Sequence, residues 1–596
     1  MGLRTVYSLL EEAVTKYGDQ VALHQPVLVD KQRSYQTWTW GAYRDAVREI
    51  ACGLRAMGVH PGDIVALGSE TRAEFYLTDL GIMTNGAIAA ALYANSLPVD
   101  QANALRTCGA KVVFVEDPKY LKTLRGAGGD LQVQWVLLTG FEEGVMTLAE
   151  VIARGRAAMN EDSDYFDRIR VMVKPEDCAI LYLTSGATGD PKMVEVSHHA
   201  LVSNVDMGPK AIPIGPRDRT LAFLPSAHIA QRIAIELLPL RLGVPVWFSE
   251  SLGRMPHEFK SVKPTFFLAP PRVWERVYAT VRTEFQKFTG IKKTLAYTAL
   301  GMGSEAAQFR QRGESVPFRL SIPLMLFDKL VFAKIRERFG GELKFPVSGA
   351  APLSKDLGQF YEVIGMPLIE GFGLTEGGIN CLNPTDKPRL GTIGKPLEGV
   401  KMKIADDGEL LIFSPTNATR YFKDPVASAE VFRDGWLYTG DLGSISDDGF
   451  VSIVGRKKEM IVSSNGKKIY PSRVEALFKT EPLISQMVLA GEQQPYVTAL
   501  FTLNPTAAEL IEGMKGKSMA ELAQEPAVNK EVKRAVERAN KQLAGYEAIK
   551  KFRILPQDFS IDGGELTPTM KVRTKKVLEK YKDVITALYG SKDELL

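Results

Sequence analysis

The sequence predicts an α/β fold, with a large N-terminal domain of parallel-rich sheets sandwiched with helices and a small α+β C-terminal domain. Three observations lead to this prediction. The chain has 596 residues, which is too long for one hydrophobic core. From about residue 60 to 450, short apolar runs alternate with helical patterns, and such alternation favours parallel sheets. Beyond that region the chain becomes rich in Lys and Glu.

The predicted strands are apolar runs bounded by Gly, Pro or Asp. The clearest of them lie at 63–69, 111–117, 135–140 and 178–186. We predict a turn-rich loop at 438–450 (YTGDLGSISDDGF) and a short β pair meeting at Gly455 within 451–462. The change of character there predicts a domain boundary, with residues 1–456 in the large domain and 457–596 in the small one.

Composition argues against several classes of protein. The formal net charge is only +4, which gives no reason to expect a nucleic-acid partner. The four cysteines are isolated from one another and from histidine clusters, so neither a disulfide framework nor a zinc site is predicted. No stretch reaches the roughly 18 uncharged apolar residues that a membrane-spanning helix requires. The N-terminus carries no apolar signal core, and we expect a cytoplasmic location.

The strongest local motif is LYLTSGATGDPK at 181–192, where a predicted strand runs into a glycine loop. Successive glycine N–H groups can turn toward one point and bind an anion, and hydroxyls and a lysine add to that site. The candidate phosphate-binding residues are Thr184, Ser185, Gly186, Thr188, Gly189 and Lys192. The spacing does not match a Walker loop, because Met193 follows the lysine. A plain surface turn is the alternative for this motif taken alone.

Two later motifs have the chemistry of a nucleotide site. In EGFGLTE (370–376), an aromatic ring can stack on a base, a threonine can reach a phosphate and a carboxylate can hold Mg²⁺. In YTGDLG (438–443), Asp441 can accept hydrogen bonds from ribose hydroxyls, and Arg456 follows shortly afterwards. Each motif alone is also compatible with a structural turn or a solvated charge.

Taken in order, the motifs resemble one family. They are TSGATGDPK, LPSAHIAQR, SGAAPLS, EGFGLTE, YTGDLG, GRKKEMIVSSNGKKIYPSRVE and LTPTMK. This set is similar to the adenylate-forming superfamily of acyl-CoA synthetases, firefly-type luciferases and nonribosomal adenylation domains. Within it the chain resembles the long-chain fatty acyl-CoA synthetases, through PTFFLAPPRVWERV (264–277), a helical insertion at about 278–345 and LTPTMKVR (566–573).

The resemblance implies that a fatty acid reacts with ATP to give an acyl-adenylate and pyrophosphate. It implies catalytic roles for Lys571, Glu376, Thr375 and His228, with Glu376 as the protein ligand of Mg²⁺. For His228, a core histidine with satisfied hydrogen bonds is the alternative. Lys571 would offset charge between the carboxylate and the α-phosphate. The nucleotide would also meet Gly349, Ala350, Ala351, Glu370, Gly371, Phe372, Gly373, Asp441 and Arg456.

A second step is implied in which the CoA thiol displaces AMP. The small domain would be mobile and would rotate on a hinge at Lys458, which removes Lys571 from the site. Gly466 would then line the pantetheine passage, and Lys467 and Lys468 would meet CoA phosphates. For each lysine singly, a solvated surface is the better interpretation.

The sequence departs from the family pattern at Ala187, where a hydroxyl residue is usual, and at Met193, where a glycine is usual. A missing donor to a phosphate costs about 1.5–3 kcal/mol, so slower ATP turnover is expected. Three alternatives stay open: a ligase for another carboxylic acid, a ligase that acylates a carrier protein, and a lipid-binding pseudoenzyme. The oligomeric state is left open too.

One further pattern concerns membranes. The apolar run SIPLMLF (321–327) is followed by Lys329, Lys334 and Arg336, as in elements that rest on a bilayer surface. Peripheral contact with the inner face of a membrane is one interpretation. An insertion that packs on its own domain is the other.

Overall fold

The computed structural model describes residues 4–184 and 192–590. The helices are α1 (Val6–Tyr17), α2 (Trp40–Ala56), α3 (Ala73–Asn85), α4 (Pro98–Cys108), α5 (Pro118–Ala127), α6 (Leu148–Glu161), α7 (Tyr165–Arg170), α8 (His198–Ala211), α9 (Ile229–Gln231), α10 (Leu238–Leu242), α11 (Met255–Val262), α12 (Pro271–Gln286), α13 (Gly290–Gln311), α14 (Phe318–Phe327), α15 (Ala333–Arg336), α16 (Lys355–Val363), α17 (Pro425–Val431), α18 (Pro471–Ala476), α19 (Pro505–Ala508), α20 (Met519–Leu522), α21 (Pro526–Asn540), α22 (Thr574–Lys580) and α23 (Lys582–Gly590). Arg232–Leu237 and Asp328–Phe332 are π-helical, and Glu337–Phe339 and Lys457–Glu459 form 3₁₀ turns.

The strands are β1 (Val21–Val29), β2 (Gln32–Thr39), β3 (Ile64–Gly68), β4 (Ile88–Leu92), β5 (Val112–Val115), β6 (Gln134–Leu137), β7 (Met146–Thr147), β8 (Cys178–Thr184), β9 (Lys192–Ser197), β10 (Thr220–Ala222), β11 (Val246–Phe248), β12 (Phe266–Ala269), β13 (Phe345–Ser348), β14 (Ile369–Leu374), β15 (Gly378–Leu382), β16 (Lys395–Pro396), β17 (Lys401–Ile404), β18 (Glu409–Phe413), β19 (Arg420–Tyr421), β20 (Phe432–Arg433), β21 (Trp436–Ile445), β22 (Val451–Arg456), β23 (Ile461–Val462), β24 (Lys468–Ile469), β25 (Ile484–Ala490), β26 (Val497–Leu503) and β27 (Ile549–Ile554).

Two large sheets form the N-terminal part. In the described residues, the first has the order β19-β9-β8-β4-β3-β5-β6-β7, and the second has the order β16-β15-β14-β13-β12-β10-β11-β1-β2. Neighbours from β8 through β4, β3, β5, β6 and β7 are parallel, as are those from β14 through β13, β12, β10, β11 and β1. The four predicted strand runs are confirmed as β3, β5, β6 and β8.

One apolar cluster joins both sheets to helices α1, α2, α3 and α8. Buried strand residues such as Val65 and Tyr182 of the first sheet and Phe248 of the second belong to it. Near-continuous apolar strands of this kind are expected where helices cover both faces of a parallel sheet. The loops that follow the parallel strands therefore lie at the carboxyl ends of the strands, where ligands bind in such folds.

The region predicted to be a loop at 438–450 is instead mostly strand, so that prediction was wrong. β21 covers Trp436–Ile445 and pairs with β18 and β22 in a smaller antiparallel sheet. Its glycines suggested a turn, but Gly443 lies so close to Ser452 that an added Cβ would be 2.5 Å from the Ser452 carbonyl oxygen. A bulge at Leu442 and Gly443 accommodates this close approach.

The predicted β pair within 451–462 was also wrong. β22 pairs with β21, whereas β23 pairs with β24 beyond the 3₁₀ turn Lys457–Glu459. Gly455 lies inside β22, in register with Leu442, and is not a turn. Local apolar alternation identified the strands but not their partners, because pairing depends on contacts distant in sequence.

The chain after Glu459 packs around its own apolar core. β25, β26 and β27 form a sheet covered by helices, and Phe501, Val532 and Ile549 lie in that core. The fold prediction of a large α/β part followed by a small α+β part is confirmed. None of the helices within 4–184 and 192–590 combines the length and apolar character needed to cross a membrane.

Candidate active site

The glycine motif lies between two paired strands. β8 ends at Thr184, β9 begins at Lys192, and these two residues are in register in an antiparallel pair. The predicted phosphate ligands Ser185, Gly186, Thr188 and Gly189, together with Ala187, lie outside the described residues. The Lys192 ammonium nitrogen lies 4.7 Å from the centroid of the Tyr421 ring, which is cation–π geometry.

Met193 and Glu195 have structural roles on β9. Met193 is 3% exposed and packs with Leu181 and Leu183 of β8 in an apolar cluster. Glu195 is buried and pairs with Arg420 at 2.9 Å. The residue that replaces the family's glycine therefore fills a core position, and the extra carboxylate is neutralised by a partner on β19.

The loop after β13 carries Gly349, Ala350 and Ala351. Ala350 has φ of +68°, a left-handed conformation that costs an L-residue roughly 1–2 kcal/mol. Gly349 lies beside β14, because an added Cβ would be 3.5 Å from the Gly371 carbonyl oxygen. The predicted adenine-binding segments SGAA and EGFG are thus neighbours in space.

Glu370 holds these two segments together. Its buried carboxylate accepts a hydrogen bond from the Leu353 N–H at 3.2 Å, and burial raises the pKa of Glu370 to about 8. A carboxyl group with this pKa is mostly protonated at pH 7, so it adds little charge to the site. Its contacts point to a role in fixing the loop after β13.

Glu376 lies directly after β14 and next to Thr375. One of its carboxylate oxygens accepts a hydrogen bond from the Tyr421 hydroxyl at 2.8 Å, and its carbonyl accepts one from the Ala418 N–H at 2.8 Å. Sequence reasoning missed Tyr421. Its position follows from the pairing of β19 with β9, which joins segments more than 200 residues apart and leaves no local signal.

Asp441 and Arg456 face each other across β21 and β22. Arg456 Nε lies 2.9 Å from Asp441 Oδ1, and the Arg456 side chain is about half exposed while Asp441 is buried. Burial raises the pKa of Asp441 to about 6, and Arg456 opposes this rise. The second carboxylate oxygen, Oδ2, is buried and has no partner in the described residues, so it can accept a ligand hydroxyl.

Lys571, from the C-terminal unit, lies near Asp441 and Arg456. It sits on a turn closed by hydrogen bonds from Lys571 N to the Thr567 hydroxyl (3.0 Å) and from Thr567 N to the Lys571 carbonyl (2.8 Å). The Pro568 carbonyl accepts a bond from the Asn95 amide at 2.8 Å, which fixes this turn against the N-terminal part. The charges of Asp441, Arg456 and Glu459 all act on the ammonium group.

Lys571 is exposed as a residue, although protein atoms surround its ammonium group. This enclosure, together with the positive charge of Arg456, lowers the pKa of Lys571 to about 8. The ammonium form still predominates at pH 7. A bound phosphate would stabilise that form further.

His228 faces Lys571 from the start of α9. Its Nδ1 accepts a hydrogen bond from the Ala230 N–H at 3.1 Å, so the proton of the neutral ring is on Nε2. Burial, with the nearby charge of Lys571, lowers the pKa of His228 to about 3. The ring is therefore neutral at pH 7, and Nε2 is a hydrogen-bond donor.

The predicted CoA residues lie elsewhere. Gly466, at φ +73°, closes a turn between β23 and β24, and Lys467 and Lys468 are exposed. The turn is held by bonds within its own unit, including Ser464 N to the Gln494 carbonyl at 3.0 Å. In the described residues no hydrogen bond or ion pair joins it to the N-terminal part. Lys458 lies in the 3₁₀ turn between the two units.

The described residues of this site could hold a Mg²⁺ ion only together with the phosphates of a bound nucleotide. Within residues 4–184 and 192–590, no group of three or more His, Cys, Asp or Glu side chains could hold a metal. Mg²⁺ is commonly bound by one or two carboxylates together with substrate phosphates and waters. Glu376, held by Tyr421, supplies one such carboxylate.

Comparison with known proteins assigns the family. A model described as AMP-binding enzyme matches residues 10–422, and one described as AMP-binding enzyme C-terminal domain matches residues 458–593. The chain belongs to the adenylate-forming AMP-binding enzymes. It is 34% identical to the long-chain-fatty-acid–CoA ligase FadD15 of Mycobacterium tuberculosis, over 91% of each chain. It is 28% identical to the rat long-chain-fatty-acid–CoA ligase ACSBG1, over 98% of this chain and 85% of the relative.

Solved structures of other proteins share the fold. The anthranilate CoA ligase AuaEII, in complex with anthranoyl-AMP, aligns with a TM-score of 0.73 at 20% identity, over 98% of both chains. ATP-bound MatB from Rhodopseudomonas palustris aligns with a TM-score of 0.71 at 19% identity, over 98% of this chain and 100% of that one. At these identities the likeness concerns the fold alone.

Proposed function

We propose that this AMP-binding enzyme is a long-chain fatty acid:CoA ligase that forms an acyl-adenylate and then an acyl-CoA. The observation that carries the proposal is the convergence of Lys571, His228 and Asp441 in one cleft, with segments from both parts of the chain. The two relatives named as long-chain-fatty-acid–CoA ligases support the choice of substrate.

In the first step the fatty acid carboxylate attacks the α-phosphate of ATP, and pyrophosphate leaves. Two negatively charged groups must approach, so a positive charge between them stabilises the transition state. In this proposal the Lys571 ammonium supplies that charge, and the His228 Nε2–H donates to the carboxylate or phosphate. We assign Thr375, beside Glu376, the role of donating its hydroxyl to a phosphate.

The nucleotide is held by groups from several strands. Asp441 accepts hydrogen bonds from the ribose hydroxyls with the oxygen that Arg456 leaves unpaired, and Phe372 with the loop 349–351 faces the adenine. The residues that precede Lys192 bind the phosphates in this proposal. Mg²⁺ would be held by Glu376 and would supply positive charge to those phosphates.

In the second step the CoA thiol attacks the acyl-adenylate and AMP leaves. We assign this step to a rotation of residues 457–596 about Lys458 relative to residues 1–456. The rotation would withdraw Lys571 and bring in Gly466, with Lys467 and Lys468 near CoA phosphates. The independence of the turn at 463–468 from the N-terminal part supports such a second arrangement.

The decisive test is acid-dependent pyrophosphate release from ATP and Mg²⁺, with carboxylic acids from acetate to C20 and aryl acids, with and without CoA. We expect a preference for long chains, with AMP and acyl-CoA formed only when CoA is present. Preference for another acid would change the substrate, and adenylation without a thioester would indicate a carrier protein as acceptor. No turnover with any acid would indicate a pseudoenzyme.

We place the enzyme in the cytoplasm, in peripheral contact with the inner face of a membrane. Long-chain fatty acids partition into bilayers, so a ligase that touches the bilayer meets its substrate at high local concentration. This location rests on the proposed substrate.

A further inference from the structure

Helix α14 presents an apolar face to solvent. Along α14 and the π-helical turn after it, the exposed fractions are 79% for Phe318, 55% for Ile322, 71% for Met325, 58% for Leu326 and 42% for Leu330. Spacings of three and four residues place these side chains on one face of the helix. Five large apolar side chains together on one exposed face are unusual for a soluble surface.

The opposite face of the same helix is covered. Leu324 and Phe327 pack against the apolar cluster that contains Phe267 of β12 and Trp274 of α12, and Leu320 is also buried. The helix is thus apolar on both sides, and packing on its own domain accounts for only one of them. The covered face agrees with the interpretation that this insertion packs on its own domain. That interpretation does not explain the exposed apolar face.

The surroundings of this face are basic. Residues 287–340 contain ten Lys and Arg against four Asp and Glu, a balance of +6, although the whole chain carries only +4. Arg319 and Arg336 pair with Glu305 and Asp328. Among the described residues, Lys329 and Lys334 form no ion pair with an acidic side chain, and both are exposed.

This combination favours an anionic lipid surface over a second copy of the chain. A two-fold dimer would place the same face, and therefore the same positive charges, against each other. Helices that lie in a bilayer interface instead pair an apolar face with flanking Lys and Arg, and each basic residue near an anionic surface adds to the attraction.

The face is also connected to the site. The cluster beneath α14 continues to Ala269 at the end of β12, whose carbonyl lies 3.4 Å from the Gly349 N–H. An apolar layer therefore runs from the exposed helix to the loop that we assign to adenine. We propose that the apolar face of α14, with Lys329 and Lys334, docks the enzyme on an anionic phospholipid bilayer, the source of its fatty acid. This inference rests on the proposed long-chain substrate.

Vesicle flotation of the full-length protein tests the proposal. Vesicles of phosphatidylcholine alone are compared with vesicles of equal parts phosphatidylcholine and phosphatidylglycerol. We expect flotation with the anionic vesicles, weakened by salt. Met325→Glu with Leu326→Glu, or Lys329→Glu with Lys334→Glu, should lower the bound fraction at least about tenfold.

Matched controls change the same residue types elsewhere. Phe141 and Val426 are 76% and 72% exposed, so Phe141→Glu with Val426→Glu should leave flotation unchanged, as should Lys122→Glu on α5. Unfolding temperatures of all variants should agree within a few degrees. A wild-type protein that does not float, or α14 variants that float like the wild type, would overturn the proposal. So would a dimer that the Met325→Glu, Leu326→Glu variant dissolves.

Failure of the function and failure of the surface are separable. Pyrophosphate release with octanoate, measured without vesicles, should be the same in the wild type and in the α14 variants. If the enzyme is active but does not float, the proposed function stands and the proposed membrane-docking role of α14 is wrong. If the protein floats through α14 but adenylates no acid, the membrane-docking role is supported and the proposed ligase function is wrong.

Discussion

Two turns of the C-terminal unit make contrasting contacts. Both contain a residue in the left-handed region, Met570 at φ +63° and Gly466 at φ +73°. The turn that carries Lys571 is bonded to Asn95 and lies in the cleft with Asp441 and His228. The turn that carries Gly466 is bonded only within its own unit among the described residues. The arrangement of the two units in this structure therefore brings only the Lys571 turn to the site. For the Gly466 turn to reach the site, the C-terminal unit must take a different position.

The largest expected effect comes from the first turn. Lys571→Met keeps the aliphatic stem and removes the charge, so adenylation should slow by about 10²–10³-fold, the range seen when one electrostatic stabiliser is removed. Acid-dependent pyrophosphate release measures this step. Thioester formation from supplied acyl-adenylate and CoA is the control and should change only a few-fold. An equal loss in both half-reactions would contradict the division of labour between the turns.

The second turn should give the reverse pattern. Asn tolerates the left-handed region better than most residues, so Gly466→Asn adds bulk with little backbone strain. No atom lies within 4 Å of an added Cβ in this arrangement, so adenylation should be unchanged. In a narrow passage for pantetheine the same side chain should slow thioester formation by up to about 100-fold.

Gly513→Asn is the matched control for this experiment. Gly513 is in the same unit, has φ of +77° and also has no atom within 4 Å of an added Cβ. It should leave both half-reactions unchanged. If Gly466→Asn slows adenylation as much as it slows thioester formation, the turn does not act in the second step alone.

The contrast also shows what could be predicted from sequence. The nearness of the segments at Gly349 and Gly371, and the common location of Asp441 and Arg456, agree with motifs that resemble one family. The phosphate-binding role of the glycine loop stays a prediction, because residues 185–191 lie outside the described part of the chain. Tyr421 could not be found in this way, because it lies 45 residues from Glu376 along the chain and its strand, β19, pairs with β9 from more than 200 residues away. The strand β21 was missed because Gly443 serves close packing against Ser452 and not a turn.

The pH dependence of adenylation distinguishes the contribution of Asp441 from that of Lys571. Asp441 has a pKa raised to about 6, so its carboxylate loses charge, and ribose binding weakens, as the pH falls through 6. Lys571 has a pKa lowered to about 8, so the ammonium loses its proton as the pH rises through 8. The kcat/KM for ATP should form a bell between these values, falling about tenfold per pH unit outside it.

Asp441→Asn separates the two limbs. The amide does not titrate, so the acid limb should disappear while the alkaline limb near pH 8 remains, and kcat/KM at neutral pH should be lower. An acid limb that persists in Asp441→Asn would assign it to another group. His228 is not that group, since its pKa of about 3 lies far below the bell.

The smallest expected effect concerns Tyr421, which touches both the carboxylate assigned to Mg²⁺ and the lysine of the phosphate strand. Tyr421→Phe keeps the ring that lies 4.7 Å from the Lys192 nitrogen and removes the hydroxyl that lies 2.8 Å from the Glu376 carboxylate. A hydrogen bond to a charged group contributes about 1.5–3 kcal/mol, part of which a water molecule recovers. The Mg²⁺ concentration for half-maximal adenylation should rise about three- to tenfold, with a smaller change in kcat.

Two further variants decide what Tyr421 does. Tyr421→Leu loses the ring as well and should raise the KM for ATP in addition, since a cation–π contact contributes about 0.5–1 kcal/mol at an exposed site. Tyr589→Phe removes a hydroxyl bonded to backbone oxygens of the C-terminal unit and should alter neither quantity. An unchanged Mg²⁺ requirement in Tyr421→Phe would mean that Glu376 is oriented without the tyrosine. A raised requirement in Tyr421→Phe, joined by a raised KM only in Tyr421→Leu, would assign the hydroxyl to the carboxylate and the ring to the phosphate lysine.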